Sequence, residues 1–296
     1  MYNTPILFAT MAMYSLIYYC FKGIEEKSKL SFALMGFSFI VIMTSRPNLS
    51  LAIIPLLAIL LPYLFKNFKK NVFNFIPCFI ILILGFIGIG LYNYNRFGSF
   101  IDFGANYQLT VSDVSKNKIL LENFKPAMFY YLFQPFEISK TFPYLKLVVY
   151  DIKNFNLSHY TYSYRTFGIF MIPISLFIFV GLFNRKNKQH IIFNILTLLF
   201  MIILAFLDFS LAGVHTRYVM DIYPFIIFVA ICNILIVNDL ADKIWKKKLT
   251  FLISFALIVV SFGIFFNILG SGSYYVRDLY KASLLEKFIK QLFRKV

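Results

Sequence analysis

Apolar residues fall along the chain in eight blocks of about 16 to 22 residues, the length at which a helix crosses a bilayer's hydrocarbon. The blocks occupy 4–21, 30–44, 48–65, 72–92, 166–183, 191–212, 218–237 and 249–269, and polar residues collect between them. The second is short for a span. This pattern predicts an all-α, polytopic transmembrane helix bundle of about eight spans with one long extracytoplasmic loop. Four helices lie in 1–92, an interfacial loop region in 93–165, four more helices in 166–269, and an amphipathic tail in 270–296.

Composition agrees with the pattern. Of 296 residues, 60% are hydrophobic and 14% charged, against about 45–50% and about 25% in a soluble domain, which excludes a water-soluble fold. The net charge of +16 would suggest nucleic acid in a soluble protein. Here thirteen cations sit in four alternate short loops: Lys22, Lys27 and Lys29; Lys66, Lys69 and Lys70; Arg185, Lys186 and Lys188; Lys243, Lys246, Lys247 and Lys248. Short loops rich in Lys and Arg stay cytoplasmic, which puts both ends of the chain and the 93–165 loop outside and excludes a nucleic-acid partner. An outer N-terminus that enters a span almost at once predicts an odd number of further spans upstream. Cys20, Cys78 and Cys232 lie inside apolar blocks, with no CxxC pair and no His at metal-ligand spacing, so they read as small buried hydrophobes. No basic region precedes the first block, which therefore reads as a span and not as a cleaved signal. In the tail, Leu284, Leu285, Phe288, Ile289, Leu292 and Phe293 recur at helical spacing opposite Glu286, Lys290 and Arg294, the pattern of an interfacial helix.

The groups able to do chemistry gather on the predicted outer face: Arg46, Arg96, Asp102, Asp208, His215, Arg217 and Asp221. Asp208 closes a span, either as an interface residue or facing a bundle interior or watery cavity, because lipid exposure costs a carboxylate a few kcal/mol. Arg217 and Asp221 stand four apart on one helix face and can pair there; alternatively Arg217 binds a lipid phosphate, which a guanidinium suits geometrically. Arg46, in the tight Ser45-Arg46-Pro47 turn, either snorkels to headgroups or joins that site. His215 is a hydrogen-bonding loop residue or a proton carrier. The segment from Asn93 to Thr110 reads as a built platform with turns at Gly98 and Gly104, and 115–133 as an interfacial helix punctuated by proline. His159 and His190 have no partners at metal or triad spacing, and no GxSxG, HExxH or Walker pattern occurs. No metal site is predicted.

Four segments carry a family resemblance: SRPNLSLAIIP at 45–55, NRFGSFIDFGANYQLT at 95–110, YYLFQPFEISKTFPYL at 130–145 and TRYVMDIYPF at 216–225. In order and spacing they resemble bacterial membrane glycosyltransferases of the C-type fold, over most of the chain. The resemblance implies transfer of a sugar from a polyprenyl-phosphate carrier to a glycan or glycolipid acceptor of the cell envelope, at the extracytoplasmic face of a bacterial plasma membrane. It implies an outward cavity with Arg46, Arg96 and Arg217 near the carrier phosphate, and Asp102, Asp208, His215 and Asp221 as its other polar groups. No cofactor is implied, and dependence on a divalent cation stays open. In that family the catalytic carboxylate follows a first span upstream of where this chain begins, so no residue here matches it and no independent activity is expected. A transporter or lipid flippase, or a non-catalytic membrane scaffold, are the competing readings; the former wants midplane charges and inverted repeats, and neither is evident.

Overall fold

The computed structural model describes residues 3–104, 118–138, 145–147, 161–162, 168–183 and 187–240. Seven α-helices run through these segments: α1 Asn3–Glu26, α2 Lys29–Ser45, α3 Ile53–Lys66, α4 Phe68–Phe97, α5 Phe124–Met128, α6 Lys188–Ala212 and α7 Thr216–Leu240. Among the described residues five helical runs are long and apolar enough to cross a membrane: Thr4–Glu26, Pro47–Lys66, Phe68–Phe97, Lys188–Ala212 and Arg217–Ile236. The expected short second span is a shorter apolar helix, Lys29–Ser45, and the expected 166–183 span is represented by Ile174–Phe183 within a tight 3-10 helix, Pro173–Phe183. The expected eighth span, 249–269, the tail, and the cations at 185, 186 and 243–248 lie outside the described residues, as does His159.

Local sequence sets the helix ends. Ser28 caps α2, its Oγ accepting from Ser31 N at 3.2 Å, and Asn187 caps α6 by accepting from His190 N at 3.2 Å, which satisfies backbone donors that have no partner inside the helix. Pro47 forbids continuation of α2 and starts the 3-10 segment Pro47–Ala52 that leads into α3. Helix α4 carries on five residues past the expected boundary at 92 and stops at Gly98, whose N–H donates to Tyr94 O at 2.8 Å.

Packing skips chain order after the first pair. α1 packs on α2, α2 on α4, α3 on α6, and α7 on the 3-10 helix 173–183. The core joins Phe32, Ile42, Leu49, Leu56, Phe200, Phe209 and Phe225, all fully buried or nearly so. α2 and α4 run parallel and approach closely because Gly85 has no side chain: a Cβ there would collide with Ile40. Small residues at helix contacts do this work where lipid removes the hydrophobic drive between helices. Ring contacts then fix which ends coincide. Phe32 meets Tyr63 at 5.6 Å, Lys29 lies 3.8 Å over Phe73, and His190 Nε2 bonds Asn233 Oδ1 at 2.8 Å. Lys22, Lys29, Lys66, Lys69, Lys70 and Lys188 therefore share one end of the bundle, and Arg46, Arg96, Asp208 and His215 share the other.

At the lysine end the helices are knotted by amides. Asn233 Nδ2 donates to Asn194 Oδ1 at 2.7 Å, to Phe177 O at 3.1 Å and to Ile178 O at 3.3 Å, while Asn194 Nδ2 donates to His190 O at 2.8 Å. Both asparagines are fully buried. Buried amides in apolar surroundings demand partners, and these supply them across α6, α7 and the 3-10 helix.

The segment 115–133, expected as an interfacial helix punctuated by proline, is helical from residue 121. Its described part is a 3-10 turn at Leu121–Asn123, α5, and a π-helical turn at Phe129–Phe133. Pro126 is the third residue of α5, in the first turn, where the missing N–H costs little, and the helical run continues past it to Phe133. Two short pairings follow: Phe136–Ile138 (β1) antiparallel to Leu145–Leu147 (β2), and Thr161–Tyr162 (β3) parallel to Gly213–Val214 (β4).

Candidate functional site

The tight turn after α2 and the junction between α6 and α7 meet at one end of the bundle. Arg46 ends α2, its N–H donating to Ile42 O at 2.7 Å, and its side chain reaches α7. Arg46 Nε donates to Asp221 Oδ1 at 3.1 Å, and Nη2 makes a closer contact with Asp221 Oδ2 while also donating to Arg217 O at 3.3 Å. The pair is bidentate and largely desolvated, with Asp221 1% and Arg46 17% exposed. Asp221 thus takes its ion pair from a residue 175 positions away, where sequence spacing had offered Arg217. Arg217 joins by another route. Its guanidinium lies 5.0 Å from the Tyr218 ring centre, and that of Arg46 lies 4.9 Å from the same ring. The electron-rich ring face attracts both cations.

Asp208 stands beside this group near the end of α6. It is fully buried, and Asn48 Nδ2 donates to its Oδ1 at 2.8 Å. Among the described residues its Oδ2 has no hydrogen-bond partner. Asp208 therefore faces the bundle interior, one of the two readings its sequence position allowed.

Aromatic and amide groups from the 118–133 segment close over the junction. Tyr131 OH donates to Gly213 O at 2.9 Å, Asn123 Nδ2 donates to Ser210 Oγ at 3.3 Å, and Tyr130 stacks on Phe209 at 6.1 Å. Burial, followed by the neighbouring Asp208, Tyr218 and Asp221, holds the Tyr131 hydroxyl well above the ordinary phenol range. It stays protonated and keeps donating. The structure therefore adds Asn48, Tyr131 and Tyr218 to the group. Only position could have pointed to them: Asn48 follows Arg46 and Pro47, and Tyr218 follows Arg217.

Arg96 and Asp102 are placed differently. Arg96 is exposed at the end of α4, with Nη1 donating to Tyr92 OH at 2.8 Å and its guanidinium 5.1 Å from the Phe97 ring. Asp102 accepts from Gly104 N at 2.7 Å, an Asx turn that shapes its own loop. Neither makes a contact with the Arg46 group among the described residues. No cluster of three His, Cys, Asp or Glu able to hold a metal occurs among them either.

His215 lies in the α6–α7 junction, half-buried, and burial followed by Arg217 lowers its pKa below the ordinary 6.5. The unfolded chain then binds a proton that the folded one resists, so this contribution to stability is full above about pH 6.5 and declines as pH falls through it. Unfolding of the wild type in micelles should steepen on acidification relative to His215→Gln. Parallel pH profiles for the two proteins would show that His215 titrates as in the unfolded chain.

Chemically, the arrangement offers two guanidiniums against one aromatic ring, a carboxylate that clamps one of them, and a second carboxyl group with one oxygen unpaired among the described residues, all roofed by buried tyrosines. No protein-family model, no curated protein and no solved structure matches this chain.

Proposed function

We propose that the chain is an integral membrane glycosyltransferase-like protein that takes a sugar from a polyprenyl-phosphate carrier, working at the Arg46 end of the bundle on the extracytoplasmic face of a bacterial plasma membrane. The observation that supports this most is the convergence of Arg46 and Arg217, 171 residues apart, on the Tyr218 ring. Headgroup anchors would point outward around the bundle, whereas a site for a lipid-linked phosphate needs cations gathered at one place within reach of the interface. When the sugar–phosphate bond breaks, charge grows on the departing phosphate, and prearranged guanidiniums stabilise it. In this reading Asp221 holds Arg46 in position while Arg217 meets the phosphate, and the acceptor is a glycan or glycolipid hydroxyl. Deprotonation of that hydroxyl needs a carboxylate, and no residue of this chain is assigned the role. The eight-span topology, with thirteen cations in alternate cytoplasmic loops, belongs to the same proposal and is supported by the lysines that share the opposite bundle end.

The rival transporter reading wants ionisable groups at mid-span. The described charged groups gather toward the helix ends instead.

Arg217→Ala in the full-length protein should weaken binding of a radiolabelled polyprenyl-phosphate sugar about tenfold or more, the effect of one charge-assisted hydrogen bond. Equal binding by variant and wild type would reject the site.

A further inference from the structure

At the same bundle end, but apart from the Arg46 group, the loop 98–104 folds back along α4. Tyr94 stacks on Phe100 at 4.8 Å, and Asn93 Nδ2 donates to Phe100 O at 3.3 Å. The fold-back encloses a groove of about 410 Å³ between α2, α4 and the loop, whose lining among the described residues is apolar, with Met43, Ile87, Gly90, Leu91, Phe100 and Phe103 among them. Gly90 forms part of its wall, and a Cβ there would stand 3.1 Å from the Phe100 ring.

Two features say what fills the groove. Its outer rim is apolar and faces away from the protein, with Ile87 54%, Leu91 50% and Ile101 86% exposed. In water such a surface is unfavourable; along a membrane-crossing helix it meets lipid chains. The second feature is charge. Arg96 stands seven residues after Ile89 and four after Tyr92, which puts it on the face of α4 that lines the groove, about 10 Å farther toward the helix end. Tyr92 OH accepts from its Nη1 at 2.8 Å, and among the described residues no carboxylate pairs with it. An uncompensated guanidinium one headgroup's depth above an apolar slot matches a molecule with a phosphate above a hydrocarbon chain.

We propose that this groove is a second lipid site, separate from the Arg46 group, that holds one acyl chain of an anionic glycerophospholipid with its phosphate on Arg96. The loop 98–104 acts as the clasp. Tyr92 orients the guanidinium, and the groove gives the chain a fixed lodging that annular lipid lacks.

The test uses the full chain with its single tryptophan, Trp245, changed to Phe and a reporter placed at the exposed Ile101→Trp. The protein is reconstituted in phosphatidylcholine vesicles doped with brominated-chain phosphatidylglycerol or, separately, brominated-chain phosphatidylcholine. Quenching should show phosphatidylglycerol enriched about fivefold at the reporter, the preference that one cation near the surface confers. Arg96→Gln should abolish the preference, and Gly90→Leu should lower quenching by both lipids. Equal quenching by the two lipids in the parent protein, or a preference that survives Arg96→Gln, overturns the proposal. Relief of quenching by inorganic phosphate alone would make this a free-anion site, and loss of quenching at high protein density would make it a contact between two copies. Either result also overturns it.

Discussion

Asp221→Asn should destabilise the protein by about 3–5 kcal/mol, because it removes the charge that balances a largely buried guanidinium and turns one of its two acceptor oxygens into a donor amide. Arg46 Nε and Nη2 both point at Asp221, and the pair is nearly dry. The Coulomb attraction within such a pair only offsets the desolvation of its members, so deleting one leaves the other's penalty unopposed. The double variant Arg46→Met with Asp221→Leu should therefore recover most of the loss. Denaturant unfolding in micelles reads both effects. A loss below about 1 kcal/mol for the single variant would put the pair in the class of solvated surface bridges.

Gly168→Ala should be of similar size, about 3 kcal/mol or more, at the upper end of what overpacking does. A Cβ at Gly168 would overlap the carbonyl of Leu132 and the nitrogen of Phe133. Its own N–H donates to Gln134 O at 3.0 Å, which holds the two backbones together. Neither side has a side chain that could swing away. Gly85→Ala is the natural comparison, because its neighbour is the Ile40 side chain and not backbone, and a small shift between two helices can relieve that clash without breaking a hydrogen bond. Unfolding of both variants, measured side by side, should rank Gly168→Ala as clearly the more harmful; equal, small losses would show that the loop backbone shifts freely.

What the sequence made legible was set by length and apolarity. Helices α1, α3, α4, α6 and α7 stand where their apolar blocks predicted, since a run of that length and composition has one stable form in lipid. In 118–133 the expected short helical pieces are present, but aromatic density cannot reveal that they run as successive 3-10, α and π turns. Among the site residues, the polar groups were found by their rarity near span ends, yet their pairing was not. Spacing of four put Arg217 with Asp221, whereas the partner of Asp221 comes from a turn 175 residues earlier. Local periodicity cannot see such a contact. Asn48 and Tyr218 escaped for the same reason: an amide or a tyrosine near an interface is ordinary until a fold sets a carboxylate or two guanidiniums against it.

The two polar knots grip the same pair of helices from opposite ends. Asn233 and Asn194 join α7 to α6 and to the 3-10 helix near the lysines, while Asp221 and Asp208 tie the far ends of α7 and α6 to the turn that carries Arg46 and Asn48. A rod pinned at both ends cannot spin about its axis by releasing one pin. Rotation of α7 would strip Arg46 and the Phe177 and Ile178 carbonyls of their partners in one stroke, so polar atoms at both tips oppose the same twist that the buried Ile222, Phe225, Ile226 and Val229 between them resist by packing.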